Sequence, residues 1–128
     1  MSTSYFDSRL AVYEVGDGIW VTSRPLILSS QRLGVEIKVP EGFETDFASV
    51  PRIFWSIFPP FGLYTRAAVV HDYLYRNTSF KRGTCDKVFR EAMQILKVPA
   101  WKKETMYVMV VFFGQGTWDN YRRKQNED

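Results

Sequence analysis

The residues best suited to chemistry in this sequence are His71, Asp72, Tyr75 and Asp86. The chain has one histidine, so any acid–base chemistry that needs an imidazole must use His71. A carboxylate that accepts a hydrogen bond from one ring nitrogen fixes the tautomer and makes the other nitrogen a better base. A His–Asp pair with a second carboxylate and a phenol beside it therefore predicts a site that activates water for hydrolysis.

Helical spacing explains how these side chains would meet. His71 shares an apolar face with Ala67, Leu74 and Tyr75, at spacings of three and four residues. Asp86 opens the apolar stripe of a following helix. Two amphipathic helices joined by a short polar loop pack antiparallel, which sets Asp86 against the later part of the first helix. We therefore predict that Asp86 faces His71.

A non-catalytic interpretation uses the same residues. An inward-facing histidine can be a core residue with its hydrogen bonds satisfied, and an aspartate near a helix start favours the helix dipole. On that view His71, Asp72, Tyr75 and Asp86 form a buried polar network that fixes how the helices pack. An open cleft at the second ring nitrogen would favour catalysis, and a sealed ring would favour the structural role.

Composition excludes several classes of protein. The 128 residues suit one domain, and 45% hydrophobic with 24% charged residues is ordinary for a globular chain. A single cysteine, Cys85, excludes an intrachain disulfide and a zinc site built from several cysteines. The net charge of +3 is spread along the chain, so nucleic-acid binding is not expected.

Hydropathy bears on location. The longest apolar run, 106–113, is shorter than the roughly 20 residues that a membrane span needs, although peripheral membrane contact stays open. The first residues lack the basic and then apolar layout of a signal peptide. We therefore expect synthesis in the cytoplasm of the host cell without export.

The pattern predicts one α+β domain over residues 1–128, with short antiparallel strands in the N-terminal half and three to four helices after them. The domain divides into strands within about 5–47, helices within about 50–122 and a polar tail at 123–128. The predicted strands are 11–15, 19–22, 26–28, 35–39 and 43–47, and the predicted helices are 50–58, 65–76, 84–96 with Thr84 as N-cap, and 100–113 with an extension to 122.

The string HDYLYRN at residues 71–77, followed by a loop and Asp86, resembles the catalytic helix pair of phospholipases A2 of the bacterial and fungal type. The resemblance implies that His71 is the general base, that Asp72 is a calcium ligand, and that Tyr75 and Asp86 orient the histidine. Two features depart from that family. The stretch 45–65 holds one glycine where the family has a glycine-rich calcium loop, and the chain has no pair of cysteines for a disulfide.

A second resemblance covers more of the chain. The segments VPEGFETDFASVPR at 39–52, RAAVVHDYLYR at 66–76 and CDKVFREAM at 85–93 resemble the domain of unknown function 1353 family, which is encoded largely by tailed bacteriophages. The resemblance draws attention to Asp46, Ser49 and Arg52. Asp46 is a candidate additional metal ligand. Ser49 is either a nucleophile or the N-cap of the next helix, and Arg52 either binds an anionic group or pairs with Asp46.

Two functional hypotheses follow. The first is a small phage hydrolase in which His71 activates water on a lipid or cell-wall substrate, aided by a divalent cation, calcium or magnesium, which prefers carboxylate ligands. The second is a non-catalytic virion or tail (baseplate) assembly protein with an aromatic contact surface. Its partners would be other phage structural proteins, or components of the host envelope, and the protein would be associated with the virion.

Overall fold

The computed structural model describes residues 5–6, 9–16, 19–45, 64–77 and 80–126. Within them lie six short strands followed by three helices, which confirms the α+β fold class. The strands are β1 (Tyr5–Phe6), β2 (Val12–Gly16), β3 (Ile19–Thr22), β4 (Leu26–Ser30), β5 (Val35–Val39) and β6 (Glu44–Thr45), and the helices are α1 (Thr65–Asn77), α2 (Arg82–Ile95) and α3 (Ala100–Asn126). The helix predicted at 50–58 lies outside the described residues.

The strands form two antiparallel sheets of three strands, in the orders β1-β4-β5 and β2-β3-β6. The sequence of β5 alternates apolar and charged residues, which predicts that Val35, Ile37 and Val39 face inward. Ile37 and Val39 are buried and Glu36 and Lys38 are exposed, but Val35, at the start of the strand, is exposed. Both α1 and α2 contact the first sheet, and α1 also contacts β6. Helix α1 is therefore the element through which the helices meet both sheets.

The predicted start of α2 was wrong. Thr84 is not the N-cap, because the helix begins at Arg82 with Lys81 as its N-cap, and Lys81 makes no side-chain capping bond. The Arg82 guanidinium contacts the main-chain oxygens of Val110 and Val111 on α3 at 3.4 and 3.2 Å. These tertiary contacts outweigh the local preference for a threonine cap, and Asp86 becomes the fifth residue of the helix rather than the second.

The C-terminal part of the chain is helical for longer than its sequence predicted. Helix α3 continues through Gly114 and Gly116 to Asn126, so residues 123–126 belong to the helix and not to a polar tail. Gly114 is buried, and the space left by its missing side chain is occupied by Tyr75 and Arg82. The helix tolerates this glycine because packing with α1 and α2 offsets its poor helix propensity.

Candidate functional site

The site is centred on the His71 ring, which lies between α1 and α2. All the residues predicted to share its apolar face are buried, and the His71 side chain itself has 0% exposure. The ring stacks in tilted geometry on Tyr75, with centroids 4.2 Å apart, and on Phe89 of α2, with centroids 4.8 Å apart. Aromatic packing on two sides thus fixes where the imidazole sits.

Asp86 faces His71, as the helical spacing predicted. The Nε2 atom of His71 is 2.7 Å from Oδ1 of Asp86, and the Tyr75 hydroxyl donates to the same oxygen at 2.5 Å. A carboxylate has acceptors only, so Nε2 carries a hydrogen, and the tautomer that can act as a base is the one with Nδ1 unprotonated. The arrangement orients the imidazole in one tautomer.

Arg82 balances the buried charge of Asp86. Its Nη1 atom is 3.5 Å from Oδ2 of Asp86, and the arginine side chain is itself partly exposed. Because Arg82 also contacts two carbonyls of α3, the carboxylate is linked to all three helices. The sequence analysis missed Arg82. Its position four residues before Asp86 on the same helix was the available signal.

Tyr75 is held as a neutral phenol. Its burial raises the pKa of the phenol far above the ordinary value, and the hydrogen bond to Asp86 raises it further, although Arg82 opposes the shift. Its ring packs edge-on against Trp118, with centroids 5.2 Å apart. Tyr75 is therefore a hydrogen-bond donor to Asp86 throughout the neutral pH range.

Asp72 is also buried, but it points to a different partner. The Thr45 hydroxyl, at the end of β6, donates to Oδ2 of Asp72. Next to it, the Arg76 guanidinium donates to the main-chain oxygen of Glu44 and lies over the ring of Phe43 at 5.2 Å. Helix α1 is thus fastened to β6 at two positions, and Thr45 is a second site residue that the sequence analysis missed.

The cation predicted at Asp72 has no cluster of side-chain ligands within the described residues. Calcium takes six to eight oxygen ligands, whereas the described part of the chain brings no three His, Cys, Asp or Glu side chains together. The only carboxylate predicted as a ligand within that part, Asp72, already accepts the Thr45 hydroxyl. Asp46, Ser49 and Arg52 lie outside the described residues, so their roles stay predictions.

The structure thus brings His71, Tyr75 and Asp86 into one hydrogen-bonded group and places Asp72 in a separate contact with β6. A general base must reach the water that it deprotonates. The basic nitrogen of a ring with no exposed surface meets water only if water enters the protein.

Within the described residues, no helix is both long and apolar enough to cross a bilayer.

Comparisons with known proteins place the chain in a family. The model of a family described as "Protein of unknown function (DUF1353)" matches residues 20–110, and the chain belongs to that family. It is 39% identical over 83 residues to the "Uncharacterized protein y4jT" of Sinorhizobium fredii (strain NBRC 101917 / NGR234). The match covers 63% of this chain and 25% of the relative, so the matched part of the chain spans about a quarter of that protein. No solved structure matches.

Proposed function

We propose that this member of the DUF1353 family is a non-catalytic phage assembly protein in which the His71 network holds the helices together. The observation that carries the proposal is the complete burial of His71, with its Nε2 atom engaged by Asp86 and its ring packed between Tyr75 and Phe89. A buried polar group with its partners satisfied specifies one way for helices to pack. Catalysis, in contrast, needs the ring to reach water.

The outer face of α3 supports a role in assembly. Trp101 is 65% exposed, Phe112 is 75% exposed, and Val108 and Phe113 are also exposed. A cluster of large apolar side chains at the surface marks a contact site more often than it does anything else. The aromatic residues predicted as a second contact surface, around Pro59 and Pro60, lie outside the described residues.

His71→Ala tests the structural role. It empties a buried site and removes the Nε2 donor from Asp86, which keeps Tyr75 and Arg82 as partners, so we expect a loss of about 3 kcal/mol in unfolding free energy, measured by urea denaturation. His71→Phe keeps an aromatic ring against Tyr75 and Phe89 and removes the hydrogen bond to Asp86, so its loss should be smaller, about 1–2 kcal/mol. Tyr13→Ala, at an exposed position, is the control and should change little. A stable His71→Ala variant would contradict the proposal.

A second candidate function is hydrolysis, and the geometry around His71 favours it. Asp86 and Tyr75 surround His71 as the resemblance to phospholipases A2 implies, with the Nε2 hydrogen on the carboxylate and Nδ1 left as the base. In such a reaction Nδ1 takes a proton from water as the water oxygen attacks the ester carbonyl. The C–O bond to the alcohol then breaks, and the protonated ring gives its proton to the departing alkoxide. This candidate requires an opening that admits water and substrate to the ring.

Turnover assays separate the two candidates. The purified protein is incubated with phospholipid vesicles and with peptidoglycan, each with calcium, with magnesium and with a chelator. The assembly proposal predicts no release of product above a blank without protein, and it predicts many ordered copies of the chain in purified particles. Turnover that His71→Ala and Asp86→Asn both abolish, in variants shown to be folded, would establish the hydrolase instead.

A further inference from the structure

The exposed face of α3 has the spacing of a helix–helix seam. Six exposed residues lie along one line of the helix and are called the α3 seam: Trp101, Thr105, Val108, Phe112, Gln115 and Asp119. Their spacing alternates between four and three residues, which is the a and d pattern of two packed helices. The opposite side of α3, with Met106, Met109 and Val110, is buried against the rest of the domain. The seam is therefore a separate surface, distinct from the one that α3 uses in the fold.

The seam is complementary to itself when two copies run antiparallel. With Val108 opposite Phe112 of the other copy, the register is fixed, and the same contact occurs twice at the centre. The flanking pairs also match in chemistry: Thr105 opposes Gln115, two uncharged polar side chains, and Trp101 opposes Asp119. The indole N–H is a donor and the carboxylate is an acceptor. Every residue of the seam thus meets a compatible partner.

A parallel pair would lack this complementarity. Each residue would then face its own copy, so the two Asp119 carboxylates would oppose each other at the same level. Within one helix, Gln115 donates to Oδ1 of Asp119 at 2.8 Å, so in the antiparallel pair Oδ2 is the oxygen that would accept from the Trp101 indole. Electrostatics therefore favours the antiparallel orientation.

Gly116 adds a steric argument. It is exposed and lies one turn before Asp119, and a Cβ atom built there would have no atom within 4 Å. In the antiparallel register, this open surface lies beside Trp101 of the other copy, so the large indole has room at the point where it packs. The contact between the two helices would extend over residues 101–119, about 27 Å of helix at 1.5 Å per residue.

We propose that two copies of this chain pair through the α3 seam as an antiparallel, two-fold symmetric dimer. This dimer gives the α3 surface a partner. It depends on the α3 seam alone and holds whether or not the protein is catalytic. A single helix pair of this length lies near the lower limit of specific interfaces, about 1,200 Å². The dimer therefore dissociates on dilution.

Sedimentation velocity on the full chain over a wide concentration series tests the proposal. The wild type should shift from monomer to dimer as the concentration rises. Phe112→Glu should abolish the shift, because it places two carboxylates at the centre of the seam, and circular dichroism should show it folded since Phe112 is 75% exposed. Tyr13→Glu, an exposed aromatic position on β2, is the matched control and should dimerise as the wild type does.

A charge pair tests the orientation. Val108→Lys alone should also prevent dimerisation, whereas Val108→Lys combined with Phe112→Glu should restore it, because antiparallel pairing sets the lysine of one copy against the glutamate of the other. Parallel pairing would set like charges together, so failure of the double variant to dimerise would overturn the antiparallel arrangement. A wild type that stays monomeric, or a dimer that Phe112→Glu leaves intact, would overturn the seam.

Two further outcomes keep this inference apart from the proposed function. Binding to phospholipid vesicles that Phe112→Glu abolishes, without self-association, would assign the surface to lipid and overturn the dimer. A dimer that also hydrolyses phospholipid would overturn the non-catalytic proposal and leave the α3 seam standing.

Discussion

Gly114 is the point at which α3 comes closest to the His71 network, and replacing it provides a sharp test of how that network is packed. A Cβ atom at this position would lie 2.6 Å from the Tyr75 hydroxyl oxygen and 3.3 Å from Nη1 of Arg82. Tyr75 is fully buried, with its ring against His71 and Trp118. The hydroxyl therefore has no free space to move into when Gly114→Ala adds a methyl group.

Two opposing effects set the size of the change. Alanine is favoured over glycine within a helix by about 1 kcal/mol, which stabilises the variant. Overpacking a filled site costs about 1–3 kcal/mol, and here it also displaces the hydrogen bond from Tyr75 to Asp86. We expect a net loss of about 0–2 kcal/mol for Gly114→Ala. At Gly116 a Cβ atom meets nothing within 4 Å, so Gly116→Ala should gain about 1 kcal/mol.

The assay is urea denaturation of both variants in the Phe112→Glu background, in which self-association does not contribute. The quantity compared is the difference in unfolding free energy between the two alanine variants, expected to be about 1–3 kcal/mol in favour of Gly116→Ala. Tyr75→Phe removes the atom at 2.6 Å, so adding Gly114→Ala to it should cost less than in the wild type. Equal stability of Gly114→Ala and Gly116→Ala would refute the close approach of α3 to Tyr75.

Two further predictions concern the buried polar groups. Thr45→Val keeps the shape of the side chain and removes the hydroxyl that donates to buried Asp72, so it should lose about 1–3 kcal/mol of unfolding free energy in urea. Thr45→Ser keeps a hydroxyl and should lose less. Equal losses in the two variants would mean that the hydroxyl contributes nothing. Because the pKa of Tyr75 is raised in the folded chain, the unfolded chain loses this proton first as the pH rises above about 10, and stability should fall by about 1.4 kcal/mol per pH unit. Burial also raises the pKa of Tyr64, so Tyr75→Phe should lessen the slope by about 1.4 kcal/mol per pH unit without abolishing it, and the exposed control Tyr13→Phe should leave it unchanged. An unchanged slope in Tyr75→Phe would contradict the assignment.

The local sequence pattern was enough to predict which residues of α1 and α2 surround His71. The positions that share a face of α1 follow from spacing alone, and all of them are buried around His71. The antiparallel packing of α1 and α2 then placed Asp86 against the ring, as the structure confirms. Both inferences rest on periodicity and on short connections, which depend on residues close in sequence.

The missing parts of the site depend on residues far apart in sequence. Thr45 reaches Asp72 across 27 positions, and Arg82 reaches the carbonyls of α3 across 28 and 29 positions. No periodicity in either segment records such a contact. The same distant contacts explain why α2 begins at Arg82 and not at Thr84, since an arginine held by α3 outweighs a favourable local cap.

A hydrogen bond of Thr45 joins two of the segments that carry the family resemblance, 39–52 and 66–76. This residue belongs to the segment 39–52, and its hydroxyl donates to Asp72 of the segment 66–76. Asp72, which the resemblance to phospholipases A2 implies as a calcium ligand, accepts the hydroxyl of Thr45, a neutral donor. The HDYLYR string therefore connects α1 to β6 through Asp72 and to α2 through His71.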